Sequence, residues 1–294
     1  MPLESISCCF CDNNDTKVLY QIGDFKIVKC KNCGLVYTNP RLSCADLNQL
    51  YNDHYFRSQN PLTLGYENYL NDAENIIKTF QKRWALIERH LTTNGRRILD
   101  IGCAYGFLLN YLQKKGYETY GIELSKNAAD YAIRNFKLKV FTKQLREIKF
   151  EDNYFDVITI WDVIEHFPNP KLELLEIKRI LKPGGILSVI TPDSGSFQAR
   201  FWGGRWVEYL RPAEHLYFFS KKILIKKISE LGFDVITIGT AGKFVSIRFV
   251  LDRLKAYNKF LFTAIEKIGS YLKINEKIFY VDPKDKMFIN FRKR

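Results

Sequence analysis

The sequence holds 294 residues, 46% hydrophobic and 26% charged, an ordinary globular composition that excludes a disordered chain, a collagen-like repeat and a disulfide-stapled miniprotein. Lys and Arg outnumber Asp and Glu by 45 to 32, and 17 basic against 7 acidic residues lie between Lys221 and Arg294, so a polyanion, an anionic membrane surface or an acidic partner is expected at that end. No apolar run reaches the roughly 18 to 20 residues of a membrane span, and no basic stretch followed by a hydrophobic one opens the chain, so a cytoplasmic location is expected.

The first segment is rich in cysteine. Cys8-x-x-Cys11 and Cys30-x-x-Cys33 are separated by 18 residues, the spacing of a four-thiolate zinc site. Two residues between ligands let one tight turn aim both sulfurs at a single tetrahedral ion. A redox pair and coincidentally buried thiols are the competing explanations, and Cys9 is read as a bystander. Seven cysteines, an odd number without an export signal, argue against a disulfide framework. Four thiolates would close the coordination sphere, so the expected zinc is structural.

Asn39-Pro40-Arg41 ends that segment, because proline drives its predecessor out of helical geometry. The boundary is set at residue 42. Ser43 with Asp46 forms a helix N-cap before Leu47, Leu50 and Tyr51. A second helix is predicted over 71–91, with Ile76, Ile77, Phe80, Trp84, Ile87 and Leu91 as its apolar stripe. Residues 43–95 therefore read as a helical bridge to a main domain over 96–294.

From Arg96 short apolar runs alternate with helical stretches: 97–101, 107–115, 118–122, 128–136, 155–160, 172–181 and 186–190. Such alternation predicts an α/β domain with a parallel sheet covered on both faces. Ile98-Leu99-Asp100-Ile101-Gly102-Cys103-Ala104-Tyr105-Gly106 carries a strand into a turn of small residues, a nucleotide cradle, and Glu123 ends the next strand where a carboxylate accepts from ribose hydroxyls. The dinucleotide fingerprint needs a glycine where this chain has Phe107, which disfavours NAD. Residues 224–231 and 234–238 add a helix and a strand. Residues 245–274 carry apolar side chains every three or four positions with Lys and Arg largely off that stripe, a basic amphipathic helical insertion before a last strand over 287–291.

The run from Leu99 to Gly106 resembles the first motif of class I S-adenosylmethionine-dependent methyltransferases. Phe155-Asp156-Val157-Ile158, Trp161-Asp162-Val163-Ile164-Glu165-His166 and Leu181-Lys182-Pro183-Gly184-Gly185 resemble later motifs in the same order. The resemblance implies a Rossmann-like, seven-stranded sheet with its last strand antiparallel. It also implies S-adenosylmethionine held by Asp100, Gly102, Ala104, Gly106, Glu123, Gln144 and Trp161. Ala104 stands where the family usually has a glycine.

A transferable methyl needs an aligned acceptor and a proton acceptor. His215 and His166 are the candidate bases, since both follow strands on the cofactor edge, whereas His90 and His54 lie elsewhere. Glu214-His215-Leu216-Tyr217-Phe218-Phe219-Ser220 resembles bacterial small-molecule methyltransferases with an N-terminal Cys-x-x-Cys zinc segment, some acting on nucleotide-linked deoxysugars. Trp202, Trp206 and Tyr209 are candidate linings of an acceptor pocket, with core packing as the competing explanation. The absence of an Asp/Asn-Pro-Pro-Tyr/Phe segment and of a Pro-Cys dipeptide speaks against adenine-N6 and cytosine-C5 methylation. The expectation is transfer to oxygen or carbon of a small molecule, a sugar or a glycan or lipid-linked precursor. The basic insertion is read first as packing on its own sheet or on a second subunit, with peripheral membrane contact as the alternative. An RNA methyltransferase gripping phosphates with zinc segment and tail is the second reading, and a non-catalytic module of the same fold the third.

Overall fold

The computed structural model describes residues 3–43, 46–47, 70–91, 96–254, 259–271, 274–275 and 277–294. The N-terminal part contains β1 (Leu3–Glu4), β2 (Thr16–Ile22), β3 (Phe25–Cys30), β4 (Val36–Thr38) and β5 (Arg41–Leu42), followed by helix α1 (Ala73–Glu88). The Ser43 cap forms as expected: its hydroxyl accepts from the Asp46 amide at 3.2 Å and its carbonyl from that of Leu47 at 2.9 Å. Leu50, Tyr51 and His54 lie outside the described residues.

The main sheet begins with β6 (Arg97–Ile101), α2 (Phe107–Lys114), β7 (Glu118–Ile122), α3 (Lys126–Phe136), β8 (Lys139–Phe141), α4 (Leu145–Ile148) and β9 (Phe155–Trp161). It continues with α5 (Pro170–Ile180), β10 (Leu181–Pro192), α6 (Phe197–Trp202), β11 (Tyr217–Phe218), α7 (Lys221–Glu230) and β12 (Phe233–Thr240). Then come β13 (Lys243–Ser246), α8 (Ile247–Leu254), α9 (Lys259–Tyr271), β14 (Ile278–Val281) and β15 (Lys286–Lys293).

Seven strands form one sheet in the order β12-β15-β10-β9-β6-β7-β8. β15 is antiparallel to both neighbours, while β6, β7, β8, β9 and β10 run parallel. Central strands of such a sheet are covered on both faces and so carry continuous apolar runs, and every residue of β9 is buried. Trp84, Ile87, Leu108 and Leu112 pack on one face; Leu174, Ile177, Leu224 and Ile228 pack on the other. Side-chain caps start the helices at the strand ends: Ser125 for α3, Asn169 for α5 with Pro170 in the first turn, and Ser220 for α7.

One element differs from the sequence expectation. Residues 245–274 are not one helix: β13 pairs with β14, and the Ser246 hydroxyl accepts from the Phe249 amide at 3.1 Å, starting α8 only at Ile247. The N-terminal strands are completed by the main domain. β2, β3 and β4 share a four-stranded sheet with β11, which the main domain supplies.

Candidate functional site

The turn after β6 is built on backbone freedom. Gly102 has φ +75°, and a Cβ there would collide with Val163. Ala104 follows with φ +48°, a left-handed conformation that costs an L-residue about 1–2 kcal/mol. Glu123 holds this turn in place: its carboxylate accepts from the Ala104 amide at 2.9 Å and the Ser125 amide at 2.8 Å. Burial pushes the Glu123 carboxyl up to about 7 despite those donors. Asp100 is also pushed up to about 7 by burial, with the Thr159 hydroxyl donating to it at 2.5 Å.

A cavity of about 1180 Å³ opens at the carboxyl ends of these strands, where ligands bind in open α/β sheets. Asp100, Gly102, Ala104, Glu123, Gln144, Trp161, His166 and His215 all line it. Gly106 does not. It precedes α2 with φ +76°, and a Cβ there would come within 2.6 Å of Leu138 and 2.9 Å of Ala132. Trp161 is fixed by donation from Nε1 to Ser188 Oγ at 2.9 Å and lies beside Phe80 and the Arg83 guanidinium.

The two histidines form one cluster, edge to face with ring centroids 4.7 Å apart. His166 Nδ1 lies 2.8 Å from the carbonyl of Glu214, and Glu208 Oε2 lies 3.2 Å from His215 Nδ1, within ion-pair reach but off the line of an aligned hydrogen bond. Burial pushes His166 down to about 4 and holds His215 well below the ordinary histidine range, with His166 itself adding to the latter. Both rings are therefore neutral near pH 7. Beneath them Glu165 is raised to about 8, by burial first and by Asp162 second, and accepts from the Thr191 hydroxyl at 2.9 Å. Burial also opposes the charge on Asp162, but Lys286, at 2.7 Å, and Arg83 outweigh it and hold that carboxyl below its usual range.

Glu208, Arg211, Lys286 and Arg83 are cavity residues that the sequence reading missed. Only Glu208 and Arg211 had a local signal, sitting seven and four residues before His215. Lys286 and Arg83 arrive from β15 and α1. The expected aromatic lining is corrected: Trp202 is 54% exposed on α6, and Trp206 and Tyr209 are buried against Ile27 and Phe218 of the N-terminal sheet.

Away from the cavity, Cys8, Cys11, Cys30 and Cys33 place their sulfurs within 4.8 Å of one another. Cys8 and Cys33 are 3.5 Å apart and Cys11 and Cys30 3.6 Å. These separations are far beyond the roughly 2.05 Å of a disulfide and close to the ~3.8 Å edge of a tetrahedron with 2.3 Å zinc–sulfur bonds.

A family described as a methyltransferase domain matches residues 73–238, more than half of the chain. Two curated relatives are ubiquinone biosynthesis O-methyltransferases: one from Alkalilimnicola ehrlichii is 29% identical over 41% of this chain, one from Methylococcus capsulatus 32% over 39%. The chain spans only 57% and 52% of their lengths. In fold it is similar to a SAM-dependent methyltransferase from Archaeoglobus fulgidus (TM-score 0.51, 18% identity, 76% of this chain and 99% of that one). It is likewise similar to a geranyl diphosphate C-methyltransferase from Streptomyces coelicolor (TM-score 0.51, 19% identity, 73% and 77%). The motif order read from the sequence, the strand order and the family match agree, and the chain belongs to the class I S-adenosylmethionine-dependent methyltransferases.

Proposed function

We propose that the protein transfers a methyl group from S-adenosylmethionine to a hydroxyl of a small molecule. The observation that carries this reading is a single cavity shared by the Glu123 turn and the His166–His215 pair. When bound, S-adenosylmethionine supplies an electrophilic methyl on its sulfonium. Each Glu123 oxygen engages one backbone donor and retains a lone pair to accept from ribose hydroxyls. Asp100, Gly102, Ala104, Gln144 and Trp161 shape the remaining cofactor wall, and Gly106 sets the turn from behind.

His215 is the base in this reading. Glu208 beside Nδ1 favours the tautomer with its lone pair on Nε2, and His166 packs edge-on to hold the ring. Burial holds the His215 imidazole well below the ordinary histidine range, so it is a weak base, which selects an acidic acceptor. The cost of moving a proton to such a ring rises with the acceptor's pKa, so a phenol of pKa about 10 is a far better donor than a hydroxyl as weak as water's. We therefore favour a phenolic or similarly acidic hydroxyl. The names of the relatives favour oxygen over carbon; a sugar acceptor rests only on the likeness of residues 214–220, and a lipid-linked one only on the basic insertion.

The four cysteines fit a structural zinc in donor type, number and spacing. We keep the division 1–42, 43–95 and 96–294, with the insertion over 245–274. Val245, Ser246, Arg248 and Phe249 line the cavity, so we read the start of the basic insertion as part of the acceptor wall rather than as a membrane contact.

The test is incubation with radiolabelled S-adenosylmethionine and either catechol or a hexose. Methylated catechol identified by mass spectrometry supports the reading. Protein that binds S-adenosylhomocysteine but methylates no hydroxyl would instead be a binding module.

A further inference from the structure

Around His215 the main chain is gripped at three successive carbonyls. The Glu214 carbonyl accepts from His166 Nδ1 at 2.8 Å, the His215 carbonyl from Thr38 Oγ1 at 3.0 Å, and the Leu216 carbonyl from the Thr38 amide at 2.9 Å. On the amide side, Leu216 donates to the Glu165 carbonyl and His215 to that of Arg211, both at 2.9 Å. Thr38, 0% exposed, thus holds two consecutive peptide groups of the loop that carries the imidazole.

Thr38 is itself fixed by the cysteine-rich segment. β4 pairs with β3, opposing Thr38 to Ile27, and β3 ends in Cys30. The Cys30 amide donates to the Leu35 carbonyl at 2.8 Å, and the Gly34 amide to that of Cys30 at 3.0 Å. Three residues beyond Leu35 the chain reaches Thr38. Beyond His215, Tyr217 opposes Tyr37 in register with the rings stacked 6.2 Å apart, and Arg41 Nη1 donates to the Pro168 carbonyl at 2.7 Å, close behind His166. Tyr209 and Trp206, which flank Glu208, pack on Ile27 and Tyr20 of the same strands.

The geometry points to the N-terminal segment as the fixed rear wall of the acceptor half of the site, with Thr38 the positioning residue that sets the His215 ring. This departs from a lid or docking module, and it rests on the proposed assignment of His215 as base. The hydroxyl of Thr38 is buried and donates to the carbonyl of a buried residue, so its loss removes one of the bonds that fix the loop and lets it shift. A displacement well under 1 Å of a proton acceptor is enough to be felt in turnover.

The test uses full-length protein labelled with 15N-histidine, with S-adenosylhomocysteine as the probe ligand. The sequence has only four histidines, so each ring is assigned by single replacement. Thr38→Val is expected to move the His215 ring signals, leave those of His90 in place, and preserve both metal content and S-adenosylhomocysteine affinity. Thr38→Ser, which restores the donor, returns the His215 signals; with catechol as acceptor, Thr38→Val lowers kcat about tenfold at unchanged KM for S-adenosylmethionine. Unmoved His215 signals in folded, metal-loaded Thr38→Val overturn the proposal, and Thr38→Ala carries the same comparison if the valine protein does not fold. A His215→Gln protein with full turnover removes the base assignment alone, because the ring comparison needs no acceptor.

Discussion

His166 and Glu214 are joined through the imidazole Nδ1 and a backbone carbonyl, 2.8 Å apart. A carbonyl only accepts, so Nδ1 carries the proton and Nε2 the lone pair. That bond settles the tautomer of one histidine of the pair and leaves Glu208 to set the other.

Replacing His215 with Ala is expected to reduce turnover by about 100- to 10,000-fold, the usual contribution of a positioned proton acceptor. S-adenosylhomocysteine affinity should stay within a factor of two or so of the parent by calorimetry, since no proposed cofactor contact changes. Glu208→Gln, which keeps the shape and loses the charge, should reduce kcat less. Full turnover in the alanine protein would transfer the assignment to His166.

Glu123→Gln is expected to weaken S-adenosylhomocysteine binding by one to two orders of magnitude, because the amide retains only one acceptor oxygen for two backbone amides and the ribose. In the parent, binding needs the carboxylate. With Glu123 at about 7, affinity should fall as pH drops from 8 to 6, with proton release detectable by calorimetry in buffers of different ionisation enthalpy. A flat pH profile would contradict this.

Without ligand, the carboxyls raised by burial act on stability in the opposite sense. Glu123 and Asp100 at about 7 and Glu165 at about 8 retain protons that their unfolded counterparts have already released. The folded chain therefore binds more protons between about 4.5 and 8, and stability falls as pH rises through that window. His166, depressed to about 4, opposes this trend only below its unfolded value near 6.5. Between pH 6.5 and 8 Glu173, also raised to about 7, adds to them, while the metal-binding cysteine thiols act in the opposite sense. The measurement is therefore the difference between the parent and Glu165→Gln: Tm should fall more, or rise less, with pH in the parent, and identical pH dependence would contradict the burial assigned to Glu165.

Ala104→Gly should relieve the left-handed backbone at φ +48° and raise stability by about 0.5–1 kcal/mol, after the greater flexibility of unfolded glycine is subtracted. Denaturant titration at constant slope measures it. Destabilisation would mean that the Ala104 methyl packs more strongly than the strain it causes.

Cys30→Ser is expected to abolish stoichiometric zinc and lower Tm, with elemental analysis and a melting curve as the measurements. Chelation of the parent protein should do the same and be reversed by zinc. Retained metal in the serine protein would refute the four-thiolate assignment.

Much of the sheet is legible in the sequence because buried parallel strands are written locally, as apolar runs like Phe155-Asp156-Val157-Ile158 between helical stretches. The glycine turn and Glu123 are legible for the same reason: backbone demand and strand end fall within a few residues. What is not legible is placement across the chain. β11 is two residues long and gains its partner only from β4, about 180 residues earlier, so nothing near His215 announces Thr38. Trp206 and Tyr209 carry the composition of a ligand wall, but the N-terminal sheet covers them first. The insertion keeps a three-to-four spacing through residue 245 although the Ser246 cap and the β13 pairing interrupt it.

The antiparallel strand β15 lies inside the sheet, between β10 and β12, rather than along its edge. While the chain is being made on the ribosome, β12 has no strand partner and β10 has only β9 until β15 clears the exit tunnel. The nascent sheet must then wait with exposed backbone along β10, and helpers that shield such edges during translation should raise the yield of folded protein more than they do for sheets completed in chain order.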